Sequence, residues 1–346
     1  MDVRIAMTGF GNVGRGMAEI LAAHGDDYER RYGVRLLLTG VADRAGAVVS
    51  REGLDPRSLL AAKDRTGTVA GAPGGEHGLR DREFLEAAHA QILVEAATTN
   101  FDDAEPGWSY IQTAFDLGMD LVLASKGALV LHYDALMQKA RRKGLRVLFS
   151  ATIGAPLPVL EMANRVLIGT DILGFEGIVN ATANQVLTSM AGGLSYDEGI
   201  REAQRAGIAE TDPTLDVDGW DAAAKAVIIA RAVLGADVGL DDVKRTGIRG
   251  ITLRDLEEAR LEGQAIRLIA SARKVGAGID AAVRPERRPL ADPLGRLSGS
   301  EMGIVFHTDP LGAVAATVEG TGGVSTALTC LRDIVNLARE RGWTSP

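Results

Sequence analysis

The sequence is poor in residues on which several kinds of site depend. It has a single cysteine, Cys330, which cannot form a disulfide within the chain. Because Cys330 lies among apolar residues at helical spacing, we interpret it as a small core residue. The five histidines are scattered without the spacing of metal ligands, so we predict no metal site of the Cys/His kind.

Aromatic residues and excess positive charge are also scarce. The chain has 3 Trp, 5 Tyr and 7 Phe, and 38 Lys and Arg stand against 46 Asp and Glu, which gives a net charge of −8. Nucleic-acid binding needs clustered cations or an aromatic stacking platform, so we expect no nucleic-acid partner.

Long hydrophobic runs are missing as well. Charged residues interrupt every apolar stretch well before the ~18 residues that a membrane span needs. Residues 1–5 lead into a predicted strand without the basic and apolar regions of a signal peptide. We therefore predict a cytoplasmic protein that does not bind membranes.

The remaining composition is that of a folded protein with more than one domain. Hydrophobic residues make up 46% of the 346 positions and charged residues 24%. A single domain usually has about 100–200 residues, so the length predicts two structural units.

A glycine-rich turn near the start predicts a dinucleotide site. The apolar run 3–8 precedes the letters GFGNVG at 9–14, after which apolar residues recur at helical spacing. In this context glycines permit a tight turn and close approach of a pyrophosphate, and the helix N-terminus supplies N–H donors. Such turns also occur without a ligand. The cofactor-binding residues predicted in this turn are Gly9, Phe10, Gly11, Asn12, Val13 and Gly14.

A second predicted strand, at residues 34–42, ends in an adjacent acid and base, Asp43 and Arg44. In dinucleotide folds an acid at this position binds the ribose hydroxyls of NAD, whereas an arginine accommodates the 2′-phosphate of NADP. The two residues are equally compatible with a surface ion pair. The sequence therefore leaves NAD and NADP open.

Polar residues follow two further predicted strands, at 91–96 and 121–124. Residues just past the carboxyl ends of parallel strands lie where such sheets bind ligands. This position predicts cofactor contacts for Ala97, Thr98, Ser125 and Lys126. The alternative for Lys126 is a solvated loop lysine.

The second half of the chain carries a dense cluster of acids that ends at a lysine. A Gly/Pro-rich segment at 150–158 marks the predicted domain junction, and five carboxylates then fall within residues 210–221. We predict that Asp218 caps a helix that runs to Leu234 and stops at Gly235. Asp221 and Lys225 then lie one turn apart, either as an exposed ion pair or as a proton donor held among carboxylates.

In this order, these residues resemble the homoserine dehydrogenase family. The likeness includes the glycine turn, Ser125-Lys126-Gly127, the segment 151–158, the acidic block 210–225 and the late glycine loop 320–323. The acidic block, with its E-x-D-P, D-x-x-G-x-D and D-x-x-x-K spacings, is the most specific of these.

The resemblance implies an α/β fold with a Rossmann NAD(P)-binding domain at 1–150. An α+β domain at 151–315 would bind substrate and form a homodimer, and a C-terminal helix within 316–346 would return to the Rossmann domain. The implied reaction is the reversible NAD- or NADP-dependent interconversion of L-homoserine and L-aspartate 4-semialdehyde, in threonine and methionine biosynthesis. The chain ends soon after the returning helix, so we expect neither a regulatory ACT domain nor threonine feedback through one.

Roles for single residues follow from the same resemblance. Lys225 resembles the proton donor to the aldehyde oxygen, and Lys126 a second lysine that faces the amino-acid substrate. Substrate-binding residues would be Glu210, Asp221, Asp216 and Thr182, of which Glu210 and Asp221 resemble the holders of the substrate amino group. Gly207 and Gly322 would lie against the nicotinamide cofactor.

Some positions depart from the family pattern. Ser125 replaces a common asparagine, Ala181 a glycine and Ile208 a frequent aromatic residue, while Ser150 and Pro156 differ around a segment that holds a monovalent cation in relatives. Such changes suit an alternative, a related NAD(P)-dependent oxidoreductase acting on another amino-acid aldehyde or hydroxy acid. A second alternative is a non-catalytic dinucleotide sensor, which would need only the glycine turn.

Overall fold

The computed structural model describes residues 1–276, 278–319 and 323–344. The chain divides into two units. The first contains residues 1–152 and 323–346, and the second contains residues 153–322. Within the described residues, none of the helices has both the length and the apolar character needed to cross a bilayer.

A seven-stranded sheet forms the centre of the first unit. Its strands lie in the order β4-β3-β2-β1-β5-β6-β7. The last five strands in this order are parallel, whereas β3 and β4 form an antiparallel edge. The strands are β1 (Asp2–Thr8), β2 (Arg35–Asp43), β3 (Gly46–Val49), β4 (Gly75–His77), β5 (Ile92–Glu95), β6 (Asp120–Leu123) and β7 (Val147–Leu148). Because the carboxyl ends of β2, β1, β5 and β6 share one edge, the loops that follow them lie side by side.

Helices cover this sheet. They are α1 (Asn12–Tyr32), α2 (Pro56–Thr66), α3 (Asp81–Ala88), α4 (Gly107–Asp116), α5 (Gly127–Leu131), α6 (Tyr133–Lys143) and, from the end of the chain, α13 (Gly323–Glu340). The first, α1, begins directly after the glycine turn and ends at Gly33, whose φ of 68° closes the helix in the left-handed region. Residues of α13, among them the fully buried Cys330, share a core cluster with β1 and α1.

A six-stranded, mainly antiparallel sheet forms the second unit. Its order is β13-β12-β8-β10-β11-β9, with one parallel pair between β11 and β9. The strands are β8 (Asp171–Ile178), β9 (Lys244–Arg245), β10 (Gln264–Val275), β11 (Gly278–Pro289), β12 (Met302–Asp309) and β13 (Gly312–Val318).

The helices of the second unit are α7 (Val159–Glu161), α8 (Ala181–Ala191), α9 (Tyr196–Arg205), α10 (Thr214–Val217), α11 (Trp220–Ile229) and α12 (Leu253–Leu261). Of these, α8, α11 and α12 contact the sheet, and α9 packs on α8. Most of α11 is fully buried, and its last turn widens into a π-helical segment at Ala230–Leu234, which ends at Gly235. The α/β fold class, with a Rossmann-like unit and a second sheet unit, is confirmed.

The strands predicted in the first unit are present. Those predicted at 3–8, 34–42, 91–96 and 121–124 match β1, β2, β5 and β6 to within one residue at each end. The antiparallel strands β3 and β4, with four and three residues, were not predicted.

Candidate functional site

In the first unit, the glycine turn leaves backbone exposed beside the start of α1. Gly9 has a φ of +87°, and a Cβ on it would lie 2.2 Å from the carbonyl oxygen of Ala96. A Cβ on Gly14 would lie 2.5 Å from the Gly9 carbonyl oxygen, so this glycine lets the helix pack against the turn. A Cβ on Gly11 would meet nothing within 4 Å. This open space next to a helix N-terminus fits a pyrophosphate.

The other predicted residues of the turn differ in what they present. Phe10 is only 2% exposed and its side chain belongs to the core, so only its backbone is available to a ligand. Asn12 is exposed and Val13 half-buried. The turn therefore offers backbone and small exposed groups, which suits a phosphate better than a substrate needing specific side chains.

Asp43, at the end of β2, has more hydrogen-bond partners than the sequence indicated. The Asp43 carboxylate accepts hydrogen bonds from Lys63 Nζ at 2.7 Å, Thr68 Oγ1 at 2.8 Å, and the backbone nitrogens of Val69 and Ala45, both at 3.0 Å. Burial alone would raise the pKa of Asp43, but these hydrogen bonds outweigh burial and lower it. Each carboxylate oxygen thus has two donors from its own unit.

Arg44, in contrast, is exposed. With the lone pairs of Asp43 in use, the arginine is the more accessible of the two groups for a ligand. Lys63 and Thr68 were missed as partners of Asp43 because they come from α2 and the segment after it, and no local spacing connects them to the end of β2.

The loops after β5 and β6 are held together by a buried acid that the sequence analysis did not single out. Glu95, the last residue of β5, is 0% exposed. Its carboxylate accepts a hydrogen bond from the hydroxyl of Ser125, and its Oε1 accepts one from the backbone nitrogen of Ala97 at 2.9 Å. The sequence signal for this buried acid was a single carboxylate within the otherwise apolar residues 92–97, ILVEAA.

Lys126 lies at the start of α5 on the same edge. Its backbone nitrogen donates to Thr99 Oγ1 at 3.2 Å, and the residue is half-buried. Gly127 is required next to it, because a Cβ there would lie 2.4 Å from the carbonyl oxygen of Asn100. Thr98, in the loop after β5, is exposed. The structure therefore places Ala97, Thr98, Ser125 and Lys126 on neighbouring loops.

In the second unit, Lys225 and Asp221 form an ion pair on α11. Lys225 Nζ lies 2.7 Å from Asp221 Oδ2 and also donates to the carbonyl oxygen of Val179 at 2.7 Å. The side chains are only 13% and 16% exposed. The interpretation as a solvent-exposed helix ion pair is therefore wrong, because these charges lie in a largely enclosed site.

Asn180 connects this pair to a second acid. Its Oδ1 accepts the backbone N–H of Ala183 and so caps α8, while its Nδ2 donates to Asp216 Oδ1 at 2.6 Å and to Asp221 Oδ2 at 2.8 Å. Asn180 was not among the predicted site residues. The cap fixes the orientation of the carboxamide, so the two acids are held at a defined position.

The acids in this cluster influence one another. Burial, and next the negative charge of Asp221, raise the pKa of Asp216, whereas the hydrogen bond from Asn180 and the charge of Lys225 lower it in part. Glu210, on an exposed segment, adds a further raising contribution. The balance leaves the pKa of Asp216 raised, as is common where like charges share an enclosed site.

Asp218 does not cap the helix as predicted. It follows α10, and the N-cap of α11 is Gly219, which has a φ of 81° in the left-handed region. The carboxylate of Asp218 instead forms an ion pair with Arg249. The helix therefore starts one residue later than predicted, after a left-handed glycine, and the short α10 that precedes it was not predicted.

The remaining predicted residues are distributed as follows. Thr182, 5% exposed, donates through Oγ1 to the carbonyl oxygen of Ile208 at 3.1 Å. Gly207 is exposed, with a φ of +70° and open space where a Cβ would lie. Gly322 lies outside the described residues. Thr182 thus connects the start of α8 to the segment that leads into the acidic block.

Comparison with known proteins identifies the family to which this architecture belongs. The family model described as homoserine dehydrogenase matches residues 158–335, and that of glutamate/leucine/phenylalanine/valine dehydrogenase matches residues 1–111. The NAD(+)-dependent homoserine dehydrogenase of Pseudomonas canavaninivorans is 35% identical over 97% of this chain and 96% of its own. The chain belongs to the homoserine dehydrogenase family.

Solved homoserine dehydrogenases have the same fold. A putative homoserine dehydrogenase from Archaeoglobus fulgidus superimposes with a TM-score of 0.86 at 33% identity, covering 97% of this chain and 99% of that one. A hyperthermophilic archaeal homoserine dehydrogenase in complex with NADPH gives a TM-score of 0.82 at 28% identity, covering 98% of each. The chain is accordingly an oxidoreductase that uses NAD or NADP.

Most of the positions at which this chain departs from the family pattern have defined local contacts. Ser125 is bonded to Glu95, Ala181 begins α8 directly after the Asn180 cap, and the carbonyl of Ile208 accepts from Thr182. The backbone nitrogen of Ser150 donates to the buried Asp333 at 3.0 Å. Ser125 and the backbone at Ser150 and Ile208 thus take part in hydrogen bonds that organise the surrounding loops.

Proposed function

We propose that this enzyme interconverts L-homoserine and L-aspartate 4-semialdehyde and that Lys225 exchanges the proton with the substrate oxygen. The observation that carries the proposal is the placement of the Lys225 ammonium, 2.7 Å from both Asp221 Oδ2 and the Val179 carbonyl oxygen in a largely buried position. A lysine ammonium has three N–H donors, and these contacts use two of them. The third remains for a substrate oxygen.

The proton chemistry of Lys225 follows from this arrangement. When bound, the nicotinamide cofactor supplies or accepts the hydride at carbon 4 of the substrate. In the reducing direction, negative charge grows on the aldehyde oxygen, and the Lys225 ammonium stabilises that charge and donates its proton. In the oxidising direction Lys225 takes the hydroxyl proton. The donor in the reducing direction is the ammonium form of Lys225, and the acceptor in the oxidising direction is its neutral amine.

Carboxylates near Lys225 would hold the α-ammonium of the amino-acid substrate. Asp221, Asp216 and Glu210 influence one another electrostatically, and together they carry more negative charge than one lysine neutralises. A cationic substrate group relieves this repulsion. We assign Glu210 and Asp221 to the amino group, Asp216 to the same acidic wall, and Thr182 to the substrate side of α8.

In the first unit, the glycine turn would hold the cofactor pyrophosphate against Gly11 and the start of α1. The support is the open space beside Gly11. Ser125, Ala97 and Thr98 would contact the cofactor beyond the turn, and Lys126 would face the substrate. By resemblance to the family, Gly207 would contact the nicotinamide. For the adenosine end, the exposed Arg44 is the accessible group, whereas Asp43 is engaged internally.

We also propose that the enzyme is a homodimer of the cytoplasm. The resemblance to the family supports the dimer, and the single cysteine, which leaves no internal disulfide to form, suits a reducing compartment. Sedimentation equilibrium of the purified chain tests the dimer, and a monomeric mass at micromolar concentration would contradict it.

The activity is tested by following NAD(P)H absorbance with purified enzyme. L-Homoserine plus NAD or NADP should produce the reduced cofactor, and a panel of other hydroxy amino acids should react far more slowly. Turnover confined to another member of the panel would instead support the alternative substrate class. Dinucleotide binding without any turnover would indicate a sensor.

A further inference from the structure

The buried Glu95 is a titratable group that the proposed proton transfer does not use. It ends β5, directly beside the glycine turn that follows β1. Its carboxylate accepts from the Ser125 hydroxyl on one side and from the Ala97 backbone nitrogen on the other. A Cβ on Gly107, the first residue of α4, would lie 3.0 Å from its Oε1, so the helix start packs directly on the carboxyl. The carboxyl is therefore closed off from bulk solvent.

The groups that face this carboxyl are uncharged. From β1, Thr8 lies opposite Glu95 in the ladder, the loop after β6 contributes the Ser125 hydroxyl, and α4 contributes Gly107. Burial raises the pKa of Glu95 to about 7, and the hydrogen bonds from Ser125 and Ala97 offset that rise only in part. Among the described residues, no charged group contributes to this shift. Both protonation states of Glu95 are therefore accessible near neutral pH.

The protonation state of Glu95 decides the direction in which the Ser125 hydroxyl points its proton. An ionised carboxylate only accepts, so Ser125 must donate to it and can only accept from a ligand. A protonated carboxyl can donate to Ser125 Oγ, and this frees the serine proton for a ligand acceptor. Protonation of Glu95 thus changes Ser125, which adjoins Lys126, from an acceptor to a donor towards a ligand.

The position of this pair in the sheet relates it to the nicotinamide half of the cofactor. In a sheet ordered β2-β1-β5-β6, a dinucleotide lies across the carboxyl ends with its pyrophosphate at the turn after β1 and its adenosine at the end of β2. The nicotinamide half then lies over β5 and β6, whose ends carry Glu95 and Ser125. The oxidised nicotinamide ring is a cation and the reduced ring is neutral.

We propose that the Glu95 carboxyl, with Ser125 as its hydrogen-bond partner, couples proton binding to the redox state of the bound cofactor through its own charge. Glu95 is ionised beside the oxidised, cationic ring and protonated beside the reduced ring. Binding of NAD(P)H to the ionised enzyme then takes up a proton at the Glu95 carboxyl, and binding of NAD(P)⁺ to the protonated enzyme releases one. The inference rests on the proposed function only in requiring that the first unit bind a nicotinamide dinucleotide.

The test is isothermal calorimetry of oxidised and reduced cofactor with the full-length enzyme from pH 6 to 8.5. Buffers of different ionisation enthalpy give the number of protons exchanged. The ratio of the Kd of the reduced to that of the oxidised cofactor should rise on the order of tenfold across this range. That is the effect of one unit charge roughly 10 Å away at an effective dielectric constant near 20.

Two variants separate this role from a structural one. Glu95→Gln keeps an acceptor for Ala97 and cannot ionise, so the ratio should lose its pH dependence and the proton exchange should vanish. Ser125→Ala removes a hydrogen bond that lowers the Glu95 pKa, so the transition should move to higher pH without disappearing. Glu83→Gln, at an exposed position of α3, is the matched control and should behave like the wild type.

The outcomes distinguish this inference from the proposed function. A wild-type ratio that does not change with pH, or a Glu95→Gln variant that keeps the wild-type transition, overturns the coupling alone. If Glu95→Gln does not fold, a Ser125→Ala transition at unchanged or lower pH overturns it equally. An enzyme that binds neither form of the cofactor overturns both proposals.

Discussion

The carboxamide nitrogen of Asn180 lies 2.6 Å from Oδ1 of Asp216, although 36 positions separate the two residues. The same carboxamide caps α8 through its oxygen. The same side chain therefore caps the helix and binds the acidic site. The start of α8 orients the Asn180 carboxamide, and its nitrogen holds the carboxylates of Asp216 and Asp221 beside Lys225.

Replacement of Asp216 should raise the thermal stability of the enzyme and lower its activity. Its pKa is raised by burial and by the charge of Asp221, so ionisation costs folded-state stability as the pH rises through the folded pKa. We expect Asp216→Asn to melt higher than the wild type at pH 7–8, by about 2–4 °C for each kcal/mol relieved. The kcat/KM for homoserine should fall.

The pH dependence provides the check on this prediction. The gain in Tm should shrink as the pH falls towards the ordinary aspartate value of 3.8, because the acid becomes neutral in both the folded and the unfolded state below that pH. Asp212→Asn is the control, since hydrogen bonding from Thr214 lowers the pKa of that exposed acid and its removal relieves no strain. A gain in Tm that persists unchanged at pH 4 would contradict the explanation.

Removal of Lys225 should abolish most turnover and leave cofactor binding in place. Lys225→Ala removes a general acid, a change that typically lowers kcat by about 10²–10⁴-fold. Lys225→Arg keeps a positive partner for Asp221 but cannot release a proton, so it should recover thermal stability without recovering kcat. Steady-state kinetics and the Kd of NAD(P)H measure both effects.

The control is Lys244→Ala in the same unit. That lysine is 75% exposed and pairs with Asp280 on the surface, so its loss should leave kcat near the wild-type value. A wild-type rate in Lys225→Ala would remove Lys225 from the mechanism.

At the end of β2, substitution of Asp43 should lower folding stability, whereas substitution of Arg44 should change the preference between NAD and NADP. Because Asp43 accepts four internal hydrogen bonds, Asp43→Ala should lower the free energy of unfolding by about 1–3 kcal/mol and weaken NAD and NADP to a similar degree. Arg44→Ala should weaken NADP alone. Denaturant titration and cofactor Kd values measure these effects.

The sign of the Asp43 effect with pH is fixed by its lowered pKa. The stabilisation is present above the ordinary value of 3.8 and is lost as the pH falls through the folded pKa, so variant and wild type should converge in acid. A selective loss of NAD binding in Asp43→Ala would show that this acid contacts the ribose after all.

Two glycines of the turn should respond differently to the same substitution. Gly9→Ala places a Cβ 2.2 Å from the Ala96 carbonyl oxygen at a φ of +87°, so the variant should lose folding stability. Gly11→Ala meets no protein atom, so its Tm should stay near the wild-type value while its methyl group obstructs the cofactor and raises the Kd. Equal losses of Tm would contradict this division.

Local sequence alone determined the parts of this protein that depend on neighbouring residues. The apolar run and glycine turn predicted β1, the turn and α1, since a strand end, a φ-positive glycine and a helical period are all encoded within some twenty positions. The contact between Asp221 and Lys225 followed from the four-residue spacing on a helix.

Only the tertiary structure decided which of these groups are enclosed and what they contact. The burial of Lys225, the donors that occupy Asp43, the pairing of Glu95 with Ser125 and the connection from Asn180 to Asp216 all join segments far apart in the chain. The helix predicted to be capped by Asp218 is capped instead by Gly219, whose backbone takes the left-handed conformation directly before Trp220. Spacing determines contacts along one element, whereas burial and partners between elements depend on how the sheets bring their strand ends together.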